Sequence, residues 1–519
     1  MISELTISEQ EMYTMIRITD TENGKVRGIP AADPRITAFK GIPFAAPPVG
    51  ENRWRAPQPC KNWEGVRDCL EFAPISMQDT PGIGDDIYCR EWHVDPEIPM
   101  SEDCLYLNVW TNAKSRDEKL PVLVWFFGGG FQWGYTSEME FDGERLARRG
   151  VVVVTVNYRL GAFGFLAHPE LTAQQPDAPC NFGALDQQAG LRWVKRNIAN
   201  FGGDPDNITI AGQSAGGGSV ISQMACPANK GAFRRAAVFS GMFRTPFYID
   251  PFFIPRKLPE AEKLGEILFE HYGVKTLEEA RKLDADFVRE KYSELRNTKG
   301  IMFAVVEDGL FSVNDPVDAF ADGSRYRVPV MAGNTGDEFM DHLHAADDEE
   351  LKKKAVEIFG DKAEKFLSFA EAHIKTDNGY CPVNPCECGA KTAALAEGRL
   401  PDSQPTYYYR FIPDIPGDDD PGTFHSVDLW FFFETLAKCT RPYEGRHYDL
   451  ARQMCDYWVN FIKTGDPNGY DINGNKLPEW RPYTEKDRAE MEFTSGGAVP
   501  AEENSPFKEF ILDKIAGKQ

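Results

Sequence analysis

Residues 212–216 read Gly-Gln-Ser-Ala-Gly and place a serine inside the pattern G-x-S-x-G. They follow a predicted strand over 207–211 and precede a predicted helix over 219–224. Where a strand turns this sharply into a helix, the positions two before and two after the serine have no room for a Cβ, and the turn lifts the hydroxyl out of the sheet. An ordinary Gly-rich turn is the alternative, because such turns are common. In this context the pattern predicts that Ser214 is a nucleophile.

A second glycine-rich turn, Gly128–Gly130, closes a continuous apolar run over 120–127. A run without alternation is typical of a strand that is buried on both faces. Backbone without side chains can approach a ligand closely, so the N–H groups of Gly129 and Gly130, together with that of Ala215, could hold a developing oxyanion. A flexible turn is the alternative for this segment as well. Two such turns at strand ends of one sheet favour a catalytic site over two unrelated flexible turns.

Alternating strands and helices predict the sheet that must position these turns. Residues 185–200 carry apolar side chains at helical spacing between two of the predicted strands. This alternation implies a parallel sheet with crossover helices, and open α/β folds place their sites at the carboxyl ends of such strands. The four predicted strands are 120–127, 151–156, 207–211 and 236–239.

The rest of the chain predicts a small sheet and helical insertions within one large domain. The first forty residues alternate short polar and apolar runs, which suits a small antiparallel sheet. The segments 257–300 and 347–375 are charged and helical in period, as solvated helices are. We therefore expect a single domain over 1–519, with a small N-terminal sheet at about 10–45 and helical insertions at about 250–325 and 340–405.

The chain of 519 residues has 57 Lys and Arg against 80 Asp and Glu, a net charge of −23. So acidic a surface repels phosphate backbones, which argues against nucleic acids and anionic membranes as partners. The N-terminus has no basic and apolar leader, and the run Val151–Val156 is far shorter than the ~20 apolar residues of a membrane helix. We expect a cytoplasmic protein whose eleven cysteines are free thiols, since their number is odd.

Several motifs resemble the type B carboxylesterase and cholinesterase family, over a region from about 41 to 493. The resemblance implies an α/β-hydrolase fold, in which a large, mostly parallel central sheet is flanked by helices and insertions cap the active site. It also implies ester hydrolysis by a Ser-Glu-His triad, a small-molecule ester as substrate, and no cofactor. The motifs are Glu102–Asn108, Gly128–Phe131, Asn157–Gly161, Phe201–Pro205, Gly212–Gly216, Trp458–Phe461 and Gly465–Asn468.

The resemblance also indicates the other two residues of the triad. Glu338 follows a predicted strand in the position of the family's acid, and Asp337 is the alternative. The family usually has glycine after this acid, whereas this chain has Phe339. His425 lies in a turn before a predicted helix, in the position of the family's base. The order Ser214, Glu338, His425 is that of the α/β-hydrolases.

By family position, an apolar pocket and two supporting residues surround the triad. Gln213 replaces the glutamate common beside the nucleophile, which should weaken any preference for cationic alcohols, and Ser240 is placed to hydrogen-bond the region of the acid. Phe127 replaces a polar residue before the glycine turn, so packing must hold that turn. The predicted pocket residues, some of which could instead be core residues, are Phe131, Trp133, Met242, Phe243, Trp430 and Phe431.

The expected function is hydrolysis of neutral, apolar or aromatic carboxylic esters through an acyl-enzyme. An amidase, lactonase or carbamate hydrolase would use the same residues, and a non-catalytic adhesion or scaffold protein of this fold is a third reading. We expect no metal site. The three cysteines within 381–388 lack a second pair at zinc-finger spacing, and 466–475 lacks the glycine of a calcium loop.

Overall fold

The computed structural model describes residues 15–247 and 254–517. The strands in these ranges are numbered in chain order. They are β1 (Ile18–Thr21), β2 (Gly24–Arg27), β3 (Ile29–Pro30), β4 (Thr37–Pro43), β5 (Val66–Asp68), β6 (Tyr106–Thr111), β7 (Leu120–Phe126), β8 (Val152–Val156), β9 (Gly203–Gln213), β10 (Arg235–Phe239), β11 (Arg256–Lys257), β12 (Val306–Glu307), β13 (Val330–Thr335), β14 (Asp341–Leu343), β15 (Lys375–Thr376), β16 (Gly379–Val383), β17 (Thr406–Phe411), β18 (Ala489–Thr494) and β19 (Gly497–Glu502).

The α-helices of the same ranges are numbered likewise. They are α1 (Ile87–Glu91), α2 (Glu144–Arg148), α3 (Gly161–Phe165), α4 (Pro169–Gln174), α5 (Phe182–Asn197), α6 (Ala215–Ala225), α7 (Leu258–Tyr272), α8 (Leu277–Arg281), α9 (Ala285–Lys299), α10 (Asp318–Asp322), α11 (Asp348–Phe359), α12 (Ala363–Leu367), α13 (Pro385–Glu397), α14 (Leu429–Phe432), α15 (Gly445–Thr464) and α16 (Pro506–Ile515).

A mixed central sheet organises the described chain. Its eleven strands follow the order β19-β18-β17-β13-β10-β9-β7-β8-β6-β4-β3. Neighbours from β18 to β8 are parallel, whereas β19 at one edge and β6, β4 and β3 at the other are antiparallel. In β8 every residue is buried, because helices cover both faces of the parallel region. The continuous apolar runs of the sequence arise from this burial.

The four predicted strands are β7, β8, β9 and β10 of this sheet, and α5 and α6 are the predicted crossover helices. The N-terminal region differs from the expected small sheet. There β1 and β2 pair with β5 in a separate sheet of three strands, while β4 joins the central sheet beside β6. Residues 10–14 lie outside the described ranges.

Two long segments interrupt the sheet, and both lie between parallel strands. The first holds α7, α8 and α9 between β10 and β13, and its residues 248–253 lie outside the described ranges. The second holds α11, α12 and α13 together with a three-stranded sheet, β14-β16-β15, which the sequence pattern did not predict. Phe359 and Phe366 of the second segment pack on Phe510 of α16.

All eleven cysteines lie in the described ranges, and all are free thiols, as expected. Within those ranges every helix is too short or too polar to cross a membrane.

Candidate active site

The carboxyl ends of adjacent parallel strands converge on one region. Gly129 follows β7, Ser214 follows β9, Glu338 follows β13, and His425 follows β17. Because β17, β13, β10, β9 and β7 are consecutive in the sheet, their carboxyl ends lie at one edge. The topology therefore assembles the predicted site from residues that are far apart in the chain.

Ser214 occupies a sharp turn between β9 and α6. Its φ of 56° and ψ of −125° are unusual for a residue with a side chain, and its N–H donates a hydrogen bond of 2.9 Å to the carbonyl of Phe239. A Cβ added at Gly216 would lie 2.1 Å from the carbonyl oxygen of Phe126, and one at Gly212 would lie 2.3 Å from that of Gly216. Only glycine fits both positions, as the pattern predicted.

Glu338 is a buried carboxylate with hydrogen-bond donors at both oxygens. Its Oε1 accepts from Ser240 Oγ at 2.5 Å, from Thr335 Oγ1 at 2.9 Å and from Thr335 N–H at 3.1 Å. Its Oε2 contacts Nδ1 of His425. Burial by itself raises the pKa of Glu338, but the adjacent His425 and these hydrogen bonds outweigh it and hold the pKa below its usual value. Glu338 is therefore ionised at neutral pH.

His425 is 5% exposed and is held on three sides. Nδ1 faces Glu338, and the backbone carbonyl of His425 accepts a hydrogen bond of 3.0 Å from the hydroxyl of Tyr88. Its Nε2 lies 3.1 Å from the amide nitrogen Nε2 of Gln213. An amide nitrogen only donates, so Nε2 of the imidazole accepts and the ring proton is on Nδ1. This is the tautomer that a general base requires.

The turn at Gly129 and Gly130 is fixed by packing and by backbone hydrogen bonds. The ring of Phe127 stacks on Tyr158 at 4.3 Å between centroids, and the hydroxyl of Tyr158 donates to the carbonyl of Phe127 at 2.8 Å. The N–H of Gln132 donates to the carbonyl of Gly129 at 2.9 Å. Among the described residues, the N–H groups of Gly129, Gly130 and Ala215 have no acceptor, so they are available to an oxyanion.

An apolar cavity of about 70 Å³ opens beside Ser214. Gly130 and Ala215 form one side of it, so an acyl group in this cavity would keep its carbonyl near both N–H groups. The remaining wall is largely apolar, and comes from α6, from residues just before the first insertion and from the first insertion itself. Its lining residues are Gly130, Phe131, Ser214, Ala215, Gly218, Ile221, Ser222, Gly241, Phe243, Pro255, Ala304, Val305, Asp315, Pro316 and Val317.

The predicted pocket residues have different environments. Phe131 and Phe243 line the cavity. Met242, Trp430 and Phe431 are at most 2% exposed, pack in the core and are not among the residues that line this cavity.

Trp133 follows the glycine turn but is held by ionic groups. Its Nε1 donates to Asp79 at 3.0 Å, and the guanidinium of Arg296 lies 4.8 Å from its ring centroid.

The sequence reasoning missed other cavity residues. Ile221 lies seven residues after Ser214, two helical turns along α6, and this spacing could have indicated it. Ala304 and Val305 come from the end of the first insertion, where no motif marks them. Tyr88 in α1, which supports the backbone of His425, carried no signal either.

A second carboxyl group, Asp428, is buried one helical turn after His425. Its Oδ2 accepts a hydrogen bond of 2.6 Å from the hydroxyl of Tyr409. Burial raises the pKa of Asp428 to about 7, and the charge of Glu338 adds to the rise, although the Tyr409 hydrogen bond opposes it. This group therefore changes its protonation near neutral pH without contacting Ser214.

Among the described residues, one group of carboxylates is close enough together to hold a metal ion: Glu387, Glu490 and Glu503. The ammonium group of Lys391 already lies among them, at 2.6, 2.8 and 3.1 Å respectively. Lys508 also contacts Glu387 at 2.7 Å. Each of the three carboxylates thus has an ammonium partner, so the cluster is a buried network of ion pairs.

Comparison with protein families matches residues 16–392 and 386–510 to the carboxylesterase family. The chain belongs to the carboxylesterase family. It is an enzyme of the serine carboxylesterase type, as the motifs suggested.

Relatives in this carboxylesterase family resemble the chain over most of its length. It is 32% identical to the para-nitrobenzyl esterase of Bacillus subtilis, over 95% of this chain and 97% of that protein. It is also 32% identical to the fumonisin B1 esterase of Sphingopyxis macrogoltabida, over 87% of this chain and 82% of that protein. A solved structure of a PNB esterase matches with a TM-score of 0.76 and 29% identity, covering 96% of this chain and 99% of that one. The expected α/β-hydrolase fold is thereby confirmed.

Proposed function

We propose that this carboxylesterase hydrolyses neutral, apolar or aromatic esters through Ser214, His425 and Glu338, by way of an acyl-enzyme. The observation that carries the proposal is the contact between Nδ1 of His425 and the buried carboxylate of Glu338. It orients a neutral imidazole whose Nε2 is an acceptor, at the same sheet edge as the strained serine turn. A base held in this tautomer at the same sheet edge as a partly exposed serine is what nucleophilic acyl transfer needs.

In the first half of the reaction, Nε2 of His425 takes the proton of the Ser214 hydroxyl as the oxygen attacks the ester carbonyl. The hydroxyl must replace the amide of Gln213 at Nε2, which is the group now 3.1 Å away. The N–H groups of Gly129, Gly130 and Ala215 stabilise the oxyanion, and one such donor contributes about 10²- to 10³-fold in kcat. Glu338 stabilises the imidazolium. His425 then returns the proton to the departing alcohol.

In the second half, His425 activates water, which cleaves the acyl-enzyme and regenerates Ser214.

The substrate class follows from the cavity and from the residue before the nucleophile. The cavity wall is largely apolar, which favours apolar acyl groups over charged ones. Gln213 provides a neutral amide beside Ser214 rather than a carboxylate, so no charge at that position attracts a cationic alcohol.

The proposal is tested by comparing Ser214→Ala with Ser222→Ala, a matched control whose hydroxyl lies on the same cavity wall. We expect the first variant to lose nitrophenyl ester hydrolysis and labelling by a fluorophosphonate, with its thermal unfolding unchanged. The second variant should retain both properties. Undiminished turnover by Ser214→Ala would refute the assignment.

A series of nitrophenyl esters of increasing acyl length, together with methyl ferulate, measures the acyl preference. Negligible cleavage of the ferulate would remove hydroxycinnamates from the substrate class.

A further inference from the structure

Phe339 is an apolar side chain that lies exposed beside the proposed general base. It is 56% exposed, and its ring centroid lies 4.7 Å from that of His425, with 43° between the ring planes. Single exposed apolar residues are common on protein surfaces. This one differs because it contacts a catalytic side chain.

The backbone on both sides of Phe339 is anchored. Before it, Oδ2 of Asp337 accepts hydrogen bonds of 2.8 Å from both the N–H and the hydroxyl of Thr423, in the loop that carries His425. After it, β14 begins at Asp341, which accepts a hydrogen bond of 2.5 Å from the hydroxyl of Thr245. The ring is therefore presented from a fixed turn, and a ligand that binds it loses little entropy in ordering the chain.

The acyl and alcohol parts of an ester have different positions in this site. The cavity beside Gly130 and Ala215 accepts the acyl part, and its wall does not include Phe339. The departing alcohol takes its proton from His425, so its oxygen must come within hydrogen-bond reach of the imidazole. Among the described residues, Phe339 is an exposed side chain whose ring packs against this imidazole.

We propose that Phe339 binds the alcohol part of the substrate and gives the enzyme a preference for small acyl esters of aromatic alcohols. The proposal rests on the function proposed above. An exposed ring stacks against a second aromatic ring better than against a methyl or ethyl group. The cavity of about 70 Å³ beside Ser214, whose wall does not include Phe339, favours a short acyl group.

Benzyl acetate and methyl phenylacetate test the proposal, because they are isomers with the ring on the alcohol side and on the acyl side respectively. The parent alcohols have similar acidity, so the two esters differ mainly in how they fit the site. We expect the wild-type enzyme to have the higher kcat/KM for benzyl acetate. In Phe339→Ala this value should fall about tenfold, mainly through KM, while methyl phenylacetate and ethyl acetate are cleaved as before.

Met340→Ala is the matched control, since Met340 is the next residue, is also exposed, and lines a different cavity with Glu387 and Lys391. Met340→Ala should leave the preference for benzyl acetate over methyl phenylacetate unchanged. Equal losses for all three esters in Phe339→Ala would mean that the ring acts only on His425, and would overturn the proposal. So would a wild-type preference for methyl phenylacetate. Ester hydrolysis that is independent of Ser214 would instead refute the proposed function.

Discussion

Removing the hydroxyl of Ser240 should move the acid side of the pH–rate profile to higher pH. This hydroxyl donates to Oε1 of Glu338 at 2.5 Å in a fully buried setting. A hydrogen bond to a charged group contributes about 1.5–3 kcal/mol. Since one pKa unit corresponds to 1.36 kcal/mol, its loss corresponds to a rise of about 1–2 units in the pKa of Glu338. Thr335 still donates twice to the same oxygen, so the lower end of this range is expected.

The direction of the expected change in the pH–rate profile follows from the present pKa of Glu338. The pKa of Glu338 is held below its usual 4.5, so after a rise of about 1–2 units the carboxylate is still ionised at pH 8, and the change appears on the acid side of the profile. Because Glu338 and His425 are in contact, the acid limb of kcat/KM reports the pair rather than either residue. We expect the acid limb to shift upward by about 1–2 pH units, while kcat/KM at pH 8 changes by less than about threefold.

Two substitutions separate this effect from a change in stability. Ser240 has a φ of 44°, where glycine is favoured and alanine is not. Ser240→Gly and Ser240→Ala should therefore differ in Tm while sharing the same shift of the acid limb, as measured in a pH-stat with one ester. An unchanged acid limb in both variants, or a shift that follows Tm instead of the missing hydroxyl, would refute the reasoning.

Three further predictions concern stability. Gly216→Ala should prevent the native turn, because its Cβ would lie 2.1 Å from the carbonyl oxygen of Phe126. The expected result is a loss of soluble protein that unfolds cooperatively. A Tm equal to that of the wild type would contradict the prediction. Glu397→Ala leaves the buried Arg325 without its partner at 2.5 Å, and urea unfolding should show a loss of about 3–5 kcal/mol. Burial raises the pKa of Asp428 to about 7, so its ionisation lowers the free energy of unfolding by about 4 kcal/mol as the pH rises from about 4 to 7. Asp428→Asn should remove this decline. Parallel pH dependence of the free energy of unfolding in wild type and variant would contradict the prediction.

The sheet could be predicted from the sequence where burial makes the pattern simple. The run 120–127 is apolar throughout and the run 151–156 is broken only by Thr155, because β7 and β8 are covered on both faces, and both were assigned correctly. The N-terminal region was harder, because its short strands carry similar patterns but pair with different sheets. Nothing local distinguishes β4, which extends the central sheet, from β1 and β2, which do not.

The pocket residues were also only partly predictable from local sequence patterns. Met242, Trp430 and Phe431 were predicted to line the pocket from their family position, with core packing as the alternative, and all three are buried in the core and do not line the cavity beside Ser214. Proximity in sequence does not determine which way a side chain points from a turn. Val305 lines the cavity although no motif surrounds it, because the first insertion folds back over the carboxyl ends of the strands.

Elements whose chemistry is local could be identified from the sequence. The turn around Ser214 needs glycine at two fixed positions, and the glycines before Phe131 keep side chains away from the oxyanion, so both were visible as short patterns. The surroundings of the proposed general base, in contrast, depend on the tertiary fold. The contacts of His425 with Glu338, Gln213 and Phe339 join segments up to 212 residues apart, and they exist because parallel strands bring their carboxyl ends to one edge of the sheet.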